Sequence, residues 1–200
     1  MRKSTRTPFT LIELLTVIAI IAILAGILLP TINTVIKKVN VGKARAEIAN
    51  LTTAIKQYES TYAILPFTVH YGGSNDVELS PGDYDDLIGI LSQSGSAKDL
   101  GNVKKMKMLD VKRVNSAGFA EYLDPWGNRY QVVLDLDYDN EILGSDVDGL
   151  YDTDNPPRSV VVWSEGLDGN SDPADGNSSN EDNIYPFETN WGGSGHRIRQ

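Results

Sequence analysis

The sequence predicts an α+β protein: one long N-terminal helix, membrane-spanning and then amphipathic, packed on a small antiparallel sheet. Three observations predict it. An apolar run extends from Phe9 to Leu29, broken only by Thr10, Glu13, Thr16 and Gly26. Beyond Pro30, the positions Ala44, Ile48, Leu51, Ile55, Tyr58 and Tyr62 step by 4, 3, 4, 3 and 4, which is one face of a helix. Two β-prone segments, Tyr130–Leu134 and Ser159–Ser164, flank an acid-rich connection far downstream. The chain divides accordingly into a leader 1–8, an apolar helix 9–30, an amphipathic helix 31–66 and a head 67–200.

Arg2, Lys3 and Arg6 precede the apolar run. As a helix, Phe9 to Leu29 spans about 31 Å at 1.5 Å per residue, which matches a bilayer core. A cleavable secretory signal shares the basic start, but no small-x-small site follows. The run instead ends in Leu28-Leu29-Pro30-Thr31-Ile32 and continues amphipathically. A signal-anchor helix is the plainer alternative. Lys37, Lys38, Lys43 and Arg45 flank the far side, so positive charge nearly balances across the span. The short N-terminal tail suits retention in the cytoplasm, which sets the head outside.

Glu13 lies within this span. A carboxylate there costs roughly 2.5–3.5 kcal/mol on insertion scales and is rarely idle. In a filament of parallel helices, a neighbour's free α-amino group would neutralise it. That requires a cut before Phe9, placing a new positive terminus one helical turn from Glu13.

Pro8-Phe9-Thr10-Leu11-Ile12-Glu13-Leu14-Leu15, followed by Thr16 to Ala25, resembles the class III signal of type IV pilins and type II secretion pseudopilins. The resemblance implies cleavage between Pro8 and Phe9 by a prepilin peptidase, N-methylation of Phe9, and pairing of Glu13 with a neighbour's terminus. Pro30 falls where many such chains carry a helix-kinking proline, with Gly26 just upstream. This chain departs from the family at Pro8, where glycine is usual.

From Phe9 to Tyr62 a continuous helix would measure about 80 Å. The stripe from Ala44 to Tyr62 is expected to pack on the head's sheet. Gly42, beside Asn40, is a weak spot, and Leu65-Pro66 ends the helix because a residue before proline disfavours the α region. Gly72-Gly73-Ser74-Asn75 reads as a turn, and Tyr84–Leu91 as a short helix with Pro81 or Asp83 near its start. Lys104, Lys105, Lys107, Lys112 and Arg113 interleave with apolar residues. They form a solvated basic face or a strip that meets a neighbour's acidic tail.

The head is acidic. The whole chain carries 18 Lys+Arg against 27 Asp+Glu, and from Glu121 onward the excess of acids is concentrated. Clustered cations are what phosphate backbones demand, so nucleic acid is excluded as a partner. There is no cysteine to staple an exported head. The Asp124-Pro125-Trp126-Gly127-Asn128 turn, the Ser164-Glu165-Gly166-Leu167-Asp168-Gly169 loop, then Asp182 and Asn190-Trp191, resemble the major pseudopilin of type II secretion in particular. That resemblance implies one bound Ca²⁺ within 164–191. Calcium takes six to eight oxygens from flexible loops, and Asp168, Asp172 and Asp175 lie in Gly- and Ser-rich sequence suited to this. Asp168, Asp172, Asp175 and Asp182 are the expected ligands, against a plain solubilising loop. A second candidate is 135–148, where Asp135, Asp137, Asp139 and Asp146 loosely copy positions 1, 3, 5 and 12 of an EF-hand, with Asn140 in place of the turn glycine. A solvated hairpin loop is its alternative.

His70 and His196 are distant and no cysteine is present, so zinc ligation has no basis. No nucleophile signature occurs, and a non-enzymatic protein is expected. The resemblance implies a single-pass inner-membrane subunit with its head in the periplasm or outside the cell. It would assemble with copies of itself in a pseudopilus that supports protein secretion, through an inner-membrane assembly platform and with lipid around the span. A surface pilus for adhesion or motility, and an anchored binding domain that never polymerises, remain the rivals.

Overall fold

A computed structural model describes residues 10–72, 75–111, 113–142, 159–170 and 183–185, with backbone alone at 28–31 and 33. By contacts the chain forms two units, 1–40 and 41–200.

In the first unit, helix α1 (Leu11–Tyr62) begins. From Leu11 to Ile27 its large apolar side chains are exposed: Leu11 at 82%, Ile12 at 68% and Ile23 at 65%. Among the described residues no helix is long and apolar enough to cross a membrane. The fully described apolar stretch runs from Leu11 to Ile27, and the side chains that would extend it lie outside the described set.

The second unit is α+β, with the remainder of α1 packed on a small antiparallel sheet. Ala44, Ile48, Leu51, Ile55 and Tyr58 are all buried, as the 4-3 spacing predicts. They share one core with Leu87, Ile88 and Leu91 of α3 (Pro81–Ser92) and with the inner face of the sheet. That sheet has the order β1 (Val77–Glu78), β4 (Gln131–Leu134), β5 (Val160–Trp163). β4 and β5 pair antiparallel from Gln131↔Trp163 to Leu134↔Val160, the pairing expected from sequence. Side chains alternate across it: Val132, Leu134, Val160 and Val162 face the main core, while Val133, Val161 and Trp163 form a second cluster with Ile142. A four-residue helix α2 (Thr68–Tyr71) and the pair β2 (Arg113–Val114) with β3 (Ala120–Glu121) complete the described elements.

Local chemistry explains α3. Ser80 caps it by accepting from Asp83 N–H, and Pro81 supplies a preset φ at the first turn. The continuous helix expected from Phe9 to Tyr62 is assigned from Leu11 to Tyr62, through Pro30 and Gly42. Its end comes at Tyr62, before Leu65-Pro66: Ala63 turns left-handed at φ 59°, Leu65 enters the core, and the Leu65 N–H donates to the Tyr138 hydroxyl at 2.7 Å. Burial of Leu65 thus turns the chain ahead of the proline.

Candidate functional site

The start of α1 is the first candidate. Pro8 and Phe9 lie outside the described residues. Glu13 is described, and its carboxylate has partners in its own chain. Thr10 N–H donates to Glu13 Oε2 at 2.8 Å, Thr10 Oγ1 donates to the same oxygen at 2.7 Å, and Glu13 N–H donates to Thr10 Oγ1 at 3.3 Å. This is a capping box, in which a threonine ahead of the helix and a glutamate three residues later satisfy each other's donors. The T-x-x-E spacing that signals such a box is present in the sequence. The single chain therefore satisfies Glu13 in part without any neighbour.

The second candidate is acidic. Asp76, Asp135 and Asp137 bring carboxylate oxygens within 4.8 Å of one another, the one such group of three among the described residues. Strand register positions the pair that matters most. Val77 pairs with Leu134, so one step outward sets Asp76 opposite Asp135. Asp135 is buried; its Oδ1 accepts from Tyr138 N–H at 2.7 Å and its Oδ2 from Asn140 N–H at 3.0 Å. Tyr138 and Asn140 are both left-handed, at φ 63° and 66°, so Asn140 makes the turn expected of a glycine. Burial first, and then the Asp137 carboxylate, push the Asp135 carboxyl above the ordinary aspartate range, against the two backbone N–H groups that lower it. Three carboxylates this close repel one another, which a proton or a cation between them would relieve. Oxygens bound to one Ca²⁺ at about 2.4 Å lie no more than about 4.8 Å apart, a limit that this group does not exceed.

The sequence-predicted ligands fare unequally. Asp135 and Asp137 are brought together. Asp139 is not part of the group: it is exposed and its Oδ1 accepts from Glu141 N–H at 2.7 Å. Asp146, Asp172, Asp175 and Asp182 lie outside the described residues. Asp168 is exposed, and its Oδ1 accepts from Asn170 N–H at 3.0 Å. Asp76 was missed by sequence reasoning, because a two-residue strand gives no periodic signal to place it.

The two motifs of the head meet. Asp124 Oδ1 accepts from Trp126 N–H at 2.9 Å and Asn128 N–H at 2.8 Å, closing the turn in which Gly127 adopts φ 99°. Asp124 Oδ2 accepts from the Ser164 hydroxyl at 2.7 Å, and Asn128 Nδ2 donates to the Gly166 carbonyl at 3.0 Å. Both Asp124 and Ser164 are buried. This clasp joins the entry of β4 to the exit of β5, and its polar groups are consumed by structure.

In the basic strip, Lys105 pairs with Asp99 at 3.3 Å and Lys107 with Asp110 at 2.6 Å. Lys104 donates to the Thr61 carbonyl at 2.9 Å. Lys112 lies outside the described residues.

No protein-family model, curated protein or solved structure matches this chain.

Proposed function

We propose that this chain is a structural, non-catalytic subunit of a filament of the type IV pilin and type II secretion pseudopilin kind. Its leader is removed between Pro8 and Phe9 by a prepilin peptidase, and Phe9 is methylated. The apolar start of α1 anchors it in the inner membrane, with lipid around it, until a membrane assembly platform packs it among copies of itself. The head lies in the periplasm or outside the cell, and the filament supports protein secretion.

One observation carries this reading: from Leu11 to Ile27 every large apolar side chain of α1 is about half exposed or more. Soluble proteins rarely leave so much contiguous apolar surface to water. Because the residues are apolar on all sides of the helix, what covers them must surround it, as lipid or a bundle of copies does. Mass spectrometry of the N-terminus from native membranes tests the proposal. A chain starting at methylated Phe9 is expected; one starting at Met1 overturns it.

A second reading is favoured by the Thr10–Glu13 capping box, which gives Glu13 a use inside one chain: an anchored head that never polymerises. Glu13→Leu separates the two, since it would abolish assembly in the first and leave function intact in the second.

A calcium ion in the head accompanies the proposal. Of the two loops that the sequence singles out, 135–148 supplies the described carboxylates that support it, Asp135 and Asp137, joined by Asp76. Asp168 remains the described candidate of the 164–191 loop. EGTA is expected to lower the melting temperature of the protein; no shift together with zero metal content refutes the ion.

A further inference from the structure

A cleft of about 760 Å³ opens in the second unit, between α1, the β2–β3 pair and the 123–127 turn. Its volume lies within the range of ligand pockets, roughly 300–1,000 Å³. Lys43, Glu47 and Asn50 line it from one face of α1, at i, i+4 and i+7. β2 and β3 contribute Arg113 and Glu121, and the turn contributes Trp126. Most of the charges around it are consumed. Glu47 accepts from Tyr130 at 2.7 Å and lies 3.6 Å from Lys43, Asp110 is paired with Lys107, and Asp124 is the centre of the clasp.

Three groups at the cleft keep open valences. Arg113 and Glu121 are partners in the β2–β3 register, a placement that permits an ion pair, yet among the described residues neither side chain makes an ion pair or hydrogen bond. Arg129, the other cation near Glu121, is engaged by both oxygens of Asp85 at 2.9 and 2.8 Å. The Trp126 indole N–H has no acceptor among the described residues. Trp126 also packs against the main core and its backbone N–H is tied to Asp124, so the ring is held in place before a ligand arrives.

We infer that this cleft binds a neutral oligosaccharide, with a sugar ring on Trp126 and its hydroxyls shared between Arg113 and Glu121. A hydroxyl both donates and accepts, so neighbouring hydroxyls of one ring satisfy a guanidinium and a carboxylate together. The C–H face of such a ring supplies the apolar surface that an indole takes up. Charges of both signs line the cleft, with acids the more numerous, which disfavours a strongly anionic ligand, and a neutral one avoids the cost of desolvating its own charge. This inference does not depend on the assembly reading.

Calorimetric titration of the full-length protein in a sugar-free detergent tests it, with maltotetraose, cellotetraose and chitotetraose as probes and tetra-alanine as the peptide control. At least one of the sugars is expected to bind saturably with a Kd of about 1 mM or tighter, and tetra-alanine is not. Trp126→Ala should weaken that binding by about tenfold or more. Arg113→Gln and Glu121→Gln should each weaken it by about fivefold or more, as expected for losing hydrogen bonds to a charged group. Lys56→Gln, exposed on α1 and outside the cleft, should stay within about twofold of the parent. Because Trp126 packs on the core, its variant is read beside its melting temperature; should it unfold, the Arg113 and Glu121 variants decide the matter. No saturable binding of any of the sugars overturns the inference. Sugar binding that the cleft variants leave at the parental level overturns it too, as does tetra-alanine binding as tightly as the sugars.

Discussion

Helix α1 carries isoleucine along most of its length, yet Ile20 and Ile23 are 58% and 65% exposed while Ile48 and Ile55 are fully buried. Polar residues separate the two stretches: Arg45, Glu47, Asn50, Lys56 and Gln57 interrupt the second, whereas Glu13 is the one charge in the first. From Ala44 to Tyr58 the apolar residues form one stripe, and a single cover made of the sheet and α3 suffices. From Leu11 to Ile27 they occur on every side, and a one-sided cover leaves most of them in contact with solvent. The lesson is that one helix can belong to two environments, with the polar residues between stripe positions marking the change. Tyrosines reinforce the buried part: Tyr130 donates to Glu47 Oε2 at 2.7 Å and Tyr122 to the Glu47 carbonyl at 3.1 Å.

The sharpest way to break this contrast is a pair of truncations in detergent-solubilised full-length protein. Leu51→Ala should cost about 2–5 kcal/mol in urea unfolding followed by tryptophan fluorescence. Ile20→Ala should change it by no more than about 0.5 kcal/mol. Equal effects at the two sites would erase the distinction. Next comes the buried clasp. Asp124→Ala leaves the Ser164 hydroxyl and two backbone donors without their acceptor, and a loss of about 2–3 kcal/mol is expected. Thermal denaturation with a midpoint unchanged from the parent would show the clasp to be incidental.

Gly89 sharpens the comparison within the core. A Cβ at this position would meet the Ala97 Cβ at 2.8 Å. Gly89→Ala should therefore destabilise by about 1–3 kcal/mol, in contrast to the usual gain from such a change on an exposed helix face. A rise in melting temperature would contradict the packing.

The smallest effect concerns pH. The Asp135 carboxyl is raised in the folded chain, by burial first and the Asp137 charge after it. The folded state then holds its proton more tightly than the unfolded one. Its contribution to stability is greatest below the ordinary aspartate value and declines as pH rises through that value toward the raised one. In metal-free buffer Asp137→Asn should flatten this decline, and added Ca²⁺ should counter it in the parent alone. A decline of the same slope in both proteins would remove Asp137 as a cause.

Much of the fold was legible. The stripe on α1, helix α3 with its proline near the start, and the pairing of β4 with β5 follow from spacing, turn chemistry and β-branched runs; the Ser80 cap on α3 is seen only in the structure. The three two-residue strands were not legible, because two residues carry no period and their pairing is set by what lies opposite. The acidic group shows the cost: Asp135 and Asp137 stand out in sequence, but Asp76 joins them only through the register of β1 on β4. The T-x-x-E spacing at Thr10 is present in the sequence, and the hydrogen bonds that make it a cap are seen in the structure.

The sequence by itself determined which stretches of α1 are apolar on one side and which on all sides, since helical periodicity converts residue order directly into faces. It also determined where the acids accumulate. Tertiary structure alone decided that Leu65 turns into the core ahead of Pro66, that Asp124 clasps Ser164, and that Asp76 meets Asp135. Those outcomes depend on contacts between residues far apart in the chain, and such contacts are chosen by burial and hydrogen bonding in three dimensions, which local order does not encode.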